Sequence, residues 1–562
     1  MSTDNKKQSL IRYFLTLLIL VLFTVSSGFL FLRIDLTQEN KYTVSPSTSH
    51  LLNTLPDVVY VKVYLDGDLP PAYLKLQKEI RELLDEFHSI ASDNIQFEII
   101  NPSEHTSEKE KFNFYKQLVK KGVLPVSISE NQKEGVTQKI IFPGAIISYR
   151  GRELPANFLQ SKMGAQTEEI INASIENVEY ELTNAIRKLT RTSKQKVAFI
   201  EGHGEYGEIW VRDIHKAFEE YYDVSRIRLN HRLDALSGMN AIIIAGADSV
   251  FDEKDKFIID QFAMKGGKIL WLLDGVAADM DSLQKTPVMI GTAKELNLND
   301  MLFRYGVRIL PNLALDMQSA PIPMISGMLG NQPQRSLMNW NYFPLISPAE
   351  KHPIVRNLNA IRFQFVSGMD TIPVQGVKKT VLLKTSNYTK IQQTPARISL
   401  QMLRERENPA RYNQTPAIVA VLLEGVFPSV FKNRLTEPIA SNRTIGYKEQ
   451  SAPCKMIVIS DADVIRNQVS KANAQSFPLG YDRYSGLTFG NREFILNCMN
   501  YLLEEEGLIS LRSREIKLRV LDKNLLSKHR QTISMINLSG PILLISAIGI
   551  LLTILRRRRF EK

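Results

Sequence analysis

The residues best placed to do chemistry in this 562-residue chain cluster in two kinds of position. The first is the hexapeptide Gly202-His203-Gly204-Glu205-Tyr206-Gly207, a G-x-G-x-x-G between a strand pattern and a helix pattern. That is the setting in which glycines let a pyrophosphate approach the backbone at a helix N-terminus. The flanking charges point elsewhere. Glu201 and Glu205 repel a pyrophosphate, the helical pattern starts only at Trp210, and Asp223 precedes the next strand pattern instead of closing it. A tight strand-to-helix turn fits these residues better than a dinucleotide site. Glu201, His203 and Glu205 alternate as a small ligand or metal cluster would, but no third strong ligand is evident, and hydrogen bonds that fix the loop account for them as well. The second kind is an aspartate at a strand's carboxyl end: Asp274 after KILWLL, and Asp461 and Asp463 after MIVIS. Ligands of open α/β sheets bind at that edge, and Asp after a strand also caps helices. The candidate ligand loop is therefore Glu201, Gly202, His203, Gly204, Glu205, Asp274, Asp461 and Asp463. A hydrolase using carboxylates and His203 is the catalytic alternative, and it requires Glu201, His203, Asp274 and Asp461 to converge in one pocket.

Other chemistries are excluded. Two cysteines, Cys454 and Cys498, preclude a disulfide-rich scaffold and a four-cysteine zinc site. They allow one bridge or two separate buried thiols. No G-x-x-x-x-G-K-[ST] occurs, since Gly266-Gly267-Lys268 runs into Ile269, so the chain is not an ATPase of that type. No catalytic residue, metal or cofactor is expected.

The elements that must position these residues read as α/β. Val58 to Leu65 has the β-branched and aromatic content of a strand. Leu76, Ile80, Leu83, Leu84 and Phe87 recur at helical spacing over 72–91. A strand at Ile95 to Ile100, a helix over 108–121, and strands at Val126 to Ser129 and Lys139 to Tyr149 follow. Glu168 to Arg191 reads as a long helix joining two soluble domains. From Lys196 the pattern alternates: strands Val197 to Glu201, Val224 to Leu229, Ala241 to Ala245 and Lys268 to Leu273, with helices Trp210 to Tyr221 and Glu253 to Lys265. This alternation implies a parallel, doubly wound sheet. Strands Val381 to Lys384, Ile418 to Leu423 and Met456 to Ser460 extend it, and helix Arg492 to Leu503 closes the domain. Residues 276–375 give no clear pattern.

Both ends are membrane-like. Tyr13 to Leu32 carries no charge. At roughly 1.5 Å rise per residue it spans a hydrocarbon core. Its apolar run continues past Ser26-Ser27-Gly28, which favours a retained anchor over a cleaved signal. Ile533 to Leu555 is likewise uncharged, contains Pro541 as a possible kink, and ends in Arg556 to Arg559. The net charge of +11 lies entirely in residues 1–12, 512–530 and 556–562. The excess basicity therefore reports membrane flanks, not a nucleic-acid footprint. Cations at both termini place them in the cytoplasm and the bulk of the chain beyond the inner membrane, in the periplasm. The division is 1–12 cytoplasmic N-terminus, 13–32 transmembrane, 33–55 linker, 56–165 first α/β domain, 166–192 connecting helix, 193–511 second α/β domain with an insertion, 512–532 basic juxtamembrane segment, 533–555 transmembrane and 556–562 basic cytoplasmic tail.

Three resemblances add to this reading. The order of elements over 56–165 resembles the thioredoxin fold, with Pro125 where that fold carries a cis-proline, but Asp66-Gly67-Asp68-Leu69-Pro70-Pro71 stands where its Cys-x-x-Cys belongs. Without thiolates there is no dithiol chemistry. The second domain looks like the class I glutamine amidotransferase fold, yet Leu272-Leu273-Asp274-Gly275 occupies its nucleophile turn and no cysteine lies there. Finally, the anchor running into Arg33-Ile34-Asp35-Leu36-Thr37, then Tyr42-Thr43-Val44-Ser45, VYVKVYLDGDLP, VAFIEGHGE, IIIAGADSVFDEKDKFIIDQFAMKGGKILWLLDG and GNREFILNCMNYLLEEEGLISLRSRE come in the order of the GldG family. These are the gliding-motility-associated ABC transporter subunits of Bacteroidetes. The resemblance implies a non-catalytic, extracytoplasmic accessory or substrate-binding subunit, partnered with a separate ABC ATPase and a multi-spanning permease.

Overall fold

Val59, Val61 and Val63 project to one side of the strand Val59–Val63 and are fully buried, as period-two alternation requires. They found the first of the cores in this computed structural model, which describes residues 13–21, 44–104, 107–132, 135–159, 166–191, 193–329, 332–349, 352–404, 408–435, 446–470, 474–503 and 523–560. The first sheet runs Ile95–Ile99, Val59–Val63, Gly144–Tyr149, Arg152–Asn157. Its first pair is parallel and the other two are antiparallel. Helix Pro71–Ala91, opened by a proline at its first position, buries Leu76, Ile80, Leu84 and Phe87 in this core. Helix Thr167–Thr190 buries Ile171, Ile175, Val178, Leu182, Ile186 and Leu189 in the same core, joined by Leu52 of the short helix Pro46–Asn53.

Proline accounts for two departures from expectation here. The single strand expected over Lys139 to Tyr149 is two, Gly135–Ile141 and Gly144–Tyr149, because Pro143 cannot continue a ladder. The first of these pairs with Val126–Gln132 in a separate ribbon. The strand Arg152–Asn157, with Pro155 inside it, lies at the sheet edge where a missing N–H is tolerated. Pro125 is not cis: among the described residues the cis peptide bond is Thr394–Pro395.

The second sheet has nine strands among the described residues. Asp223–Arg228, Lys196–Glu201, Ala241–Ala245, Lys268–Leu272 and Cys454–Ile459 lie side by side and parallel. The wholly parallel sheet expected from the alternation stops there. Ile418–Gly425 pairs antiparallel with Cys454–Ile459, and Val377–Lys384, Met369–Thr371 and Val307–Ile309 continue the antiparallel half. The inner parallel strands Ala241–Ala245, Lys268–Leu272 and Cys454–Ile459 are nearly continuous apolar runs because both faces are covered, whereas the edge strand Asp223–Arg228 is polar and only partly buried. Helices Glu208–Glu219 and Asn491–Leu503 pack on one face with Leu270 and Ile457. Helices Glu253–Met264 and Asn299–Tyr305 pack on the other with Trp271 and Val458. The stretch 276–375 is largely antiparallel structure, including the long hairpin Ser319–Leu329/Gln332–Ile346, over an aromatic core of Trp340, Tyr342, Phe343 and Phe365.

Residues 13–21 are helical and exposed, and the remainder of the expected first span, 22–32, lies outside the described residues. The C-terminal helix Lys523–Phe560 belongs to a compact unit of its own. It starts within the basic stretch, runs through Pro541 without a break, and its segment Thr532–Leu555 is long and apolar enough to cross a membrane, with no part of it buried.

Candidate functional site

The glycine-rich turn leaves the strand Lys196–Glu201 at the sheet's carboxyl edge. Gly202 and Gly204 have φ of 125° and 80°, which L side chains rarely adopt. A Cβ on Gly204 would also sit 3.0 Å from that of Asp248. The turn's backbone is already committed. The His203 carbonyl accepts from the amides of Asp248 and Ser249, and the His203 amide donates to Glu205 Oε2 at 2.7 Å. A carboxylate thus occupies an amide that a dinucleotide turn offers to phosphate. The helix begins at Glu208, with Gly207 as its cap.

His203 is buried, stacked on Phe251 with ring centroids 3.7 Å apart, between Glu205 Oε1 at 3.3 Å and Asp255 Oδ2 at 3.2 Å. Burial opposes charging the ring, but the hydrogen bond and charge of Glu205, then those of Asp255, outweigh it and raise its pKa. Asp255 Oδ1 continues the chain to His231 Nδ1 at 3.3 Å, which also meets Asp252 Oδ2 at 3.1 Å. His231, Asp252 and Asp255 have the donor types and closeness of a metal group. Asp252 is also the N-cap of helix Glu253–Met264, its side chain accepting from the Asp255 amide at 2.8 Å, and Asp255 is held by both histidines.

Glu201 turns away from this chain, to Arg226 Nε at 2.5 Å and Arg228 Nε at 3.6 Å on the neighbouring strand. The hydrogen bond from Arg226 is the main reason its carboxyl lies below the usual range.

Asp274, Asp461 and Asp463 do come together, at the carboxyl ends of Lys268–Leu272 and Cys454–Ile459. Asp274 accepts from the Ala462 amide at 2.8 Å and from Lys294 Nζ at 3.2 Å, and Lys294 also reaches Asp248. Asp461, fully buried, accepts from the amides of Gln364 at 2.6 Å and Asp463 at 2.7 Å. Burial, then the charges of Asp463 and Asp274, push Asp461 well above the carboxylate range, and burial raises Asp274. Asp463 Oδ1 takes the Tyr206 hydroxyl at 2.8 Å and Arg466 Nη1 at 3.2 Å.

No hydrogen bond or ion pair among the described residues joins His203 to Glu201, Asp274 or Asp461. The contacts found, with Glu201 facing Arg226 and His203 facing Glu205 and Asp255, lend no support to the hydrolase reading. Sequence reading missed Lys294, Arg362 and Arg466, which supply the cations facing these carboxylates. Tyr206 lay in plain view inside the hexapeptide. The two cysteines are separate buried thiols.

Beside the aspartates a cavity of about 580 Å³ opens between the loop after Cys454–Ile459 and the long hairpin, with Trp210, Phe343, Arg362, Asp463, Arg466 and Asp482 among its walls.

No curated protein matches the chain. One solved structure, the mmIFT52 N-terminal domain, is similar at 11% identity and a TM-score of 0.31, over 55% of this chain and 97% of that one, too loose a superposition to bear on function. Residues 38–148 match a domain of unknown function, DUF7088. Residues 194–498, more than half of the chain and the whole of the second sheet, match the auxiliary family described as an ABC-type uncharacterized transport system. The chain belongs to that ABC transport auxiliary family.

Proposed function

We propose that this protein is a non-catalytic, extracytoplasmic accessory subunit of an ABC transporter complex of the GldG type, linked to gliding motility, working with a separate ABC ATPase and a multi-spanning permease. The family match over the second sheet is the observation that carries this reading. The site geometry supports its non-catalytic part. Asp274, in the turn where amidotransferases place a thiol nucleophile, is tied to the Ala462 amide and Lys294. The strand order of the first sheet, with one parallel and two antiparallel pairs, supports a thioredoxin-like first domain, and five parallel strands between two helical layers support an amidotransferase-like second one. Tethers at 13–32 and 533–555 would hold both domains on the periplasmic face of the inner membrane.

Purification of the tagged protein in mild detergent tests the assignment. An ABC ATPase and a polytopic permease recovered in fixed proportion are expected. Recovery of the protein alone across several detergents refutes it.

A further inference from the structure

The cavity at the carboxyl edge of Cys454–Ile459 has the volume of small-molecule sites, roughly 300–1,000 Å³. Its three carboxylates are spoken for. Asp463 is shared by Tyr206 and Arg466, Asp281 meets Arg466 at 3.8 Å, and Asp482 accepts from Ser485 Oγ at 2.6 Å, Gln468 Nε2 at 2.9 Å and the Ser485 amide at 3.1 Å. Two of its cations are not. Arg362 lies over the Phe343 ring at 5.0 Å, and its one side-chain acceptor among the described residues is Asp482 Oδ1 at 3.5 Å, the far limit of a hydrogen bond. Its Nε is buried without an acceptor among the described residues. A guanidinium has five N–H donors, so most of this fork is unused. Arg483, exposed at the rim, donates to the Tyr484 hydroxyl and has no carboxylate partner among the described residues.

A planar guanidinium that is itself mostly buried and keeps spare donors matches a carboxylate in two-point geometry. Asp463 and Asp482 on the same walls repel a doubly charged phosphate more than a monoanion. Trp210 and Met324, both partly exposed, offer apolar surface to whatever bears the charge. We propose that this cavity binds a small monocarboxylate, with the carboxylate on Arg362, Arg483 steering it from the rim, and the ligand body against Trp210 and the hairpin. The free C-terminus of a short peptide and a uronic-type sugar both present that chemistry. The proposal does not depend on the transporter partnership.

The test is calorimetric titration of the full-length protein in mild detergent at pH 7 with glucuronate and with acetyl-Leu-Ala, each beside its neutral counterpart, the methyl ester and the C-terminal amide. At least one acid is expected to bind, about tenfold or more tighter than its neutral form, and the one that does identifies the source. Arg362→Gln should weaken that acid by about tenfold or more, and Arg483→Gln, an exposed position with no fold-critical partner, should weaken it several-fold with reduced salt sensitivity. Equal binding of acid and neutral form, binding by neither acid at millimolar concentration, or wild-type affinity in both variants overturns the proposal. Should Arg362→Gln fail to fold, the acid-to-neutral comparison on the unaltered protein still decides.

Discussion

The hydroxyl of Tyr206 donates to Asp463 Oδ1 across 2.8 Å, joining the turn after the strand Lys196–Glu201 to the loop after Cys454–Ile459, 257 residues along the chain. Tyr206 is also clasped by its backbone, its amide donating to the Ala245 carbonyl and its own carbonyl accepting from Arg226 Nη2. The side chain is thus a strut across the carboxyl edge of the sheet. Tyr206→Phe removes one buried bond to a carboxylate and leaves the ring in place. It should lower stability by about 1–3 kcal/mol, read as a lower urea midpoint at unchanged slope. An unchanged midpoint would show that Arg466 alone satisfies Asp463.

Gly246 lies beneath the same ring. Its φ is 70°, and an added Cβ would meet the Tyr206 ring at 2.7 Å. Gly246→Ala combines left-handed strain with overpacking and should cost about 2–4 kcal/mol. In the Tyr206→Ala background the steric part disappears, so a double-mutant cycle should show strong coupling. Additive losses would break the link between the two.

His203 makes the protein more stable as pH falls through the neutral range. Its pKa is raised in the folded state, because Glu205 and Asp255 outweigh burial. Its contribution is fully present below about 6.5, the value of an unperturbed histidine, and is lost as pH rises through the folded value. Melting temperatures should therefore decline from pH 6 to pH 8. Asp461, also raised, contributes in the same direction as it ionises, so the diagnostic quantity is the difference between the wild type and His203→Gln. That difference should shrink with rising pH; a constant difference refutes the assignment.

The thiols should be silent in the folded protein. Burial pushes Cys454 up to about 11 and Cys498 well above the ordinary thiol value, and neither is exposed. A thiol reagent such as DTNB at pH 8 should label neither until denaturant is added, then both. Rapid labelling of the native protein would show local opening of the strand Cys454–Ile459 or the helix Asn491–Leu503.

Local pattern was enough for the parallel half of the second sheet. Ala241–Ala245 is an unbroken aliphatic pentapeptide buried on both faces, and the helix Glu253–Met264 announces itself with Asp252 as cap and Gly266-Gly267 as stop. The antiparallel half was harder to read. The hairpin Ser319–Leu329/Gln332–Ile346 carries Pro321, Pro323, Pro333 and Pro344, residues that ordinarily end strands, and its pairing is irregular in two places. The site divides along the same line. Asp274, Asp461 and Asp463 were visible because they follow strands, whereas their counterparts are long-range: the Gln364 amide lies 97 residues from Asp461, and the Ala462 amide 188 from Asp274. His203 and Glu201 sit two residues apart, yet one side chain faces Asp255 and the other Arg226. Sequence proximity fixed their number on the loop, not their direction.

Helix Thr167–Thr190 decides where this chain can be excised. The match to the domain of unknown function stops at residue 148, but the core it begins is completed by Arg152–Asn157, by Phe158 and by the helix, whose Ile175, Leu182 and Ile186 lie in one cluster with Val61, Leu76 and Ile147. A fragment cut at 148 would present those faces bare to solvent and precipitate, whereas one carried through Thr190 keeps its interior closed. A fragment meant to keep this core must therefore run through the helix, close to residue 194, where the transporter-family match begins, and the cut there would break the contacts of Glu176 with Arg356 and of Lys188 with Glu220, by which the same helix reaches past that residue.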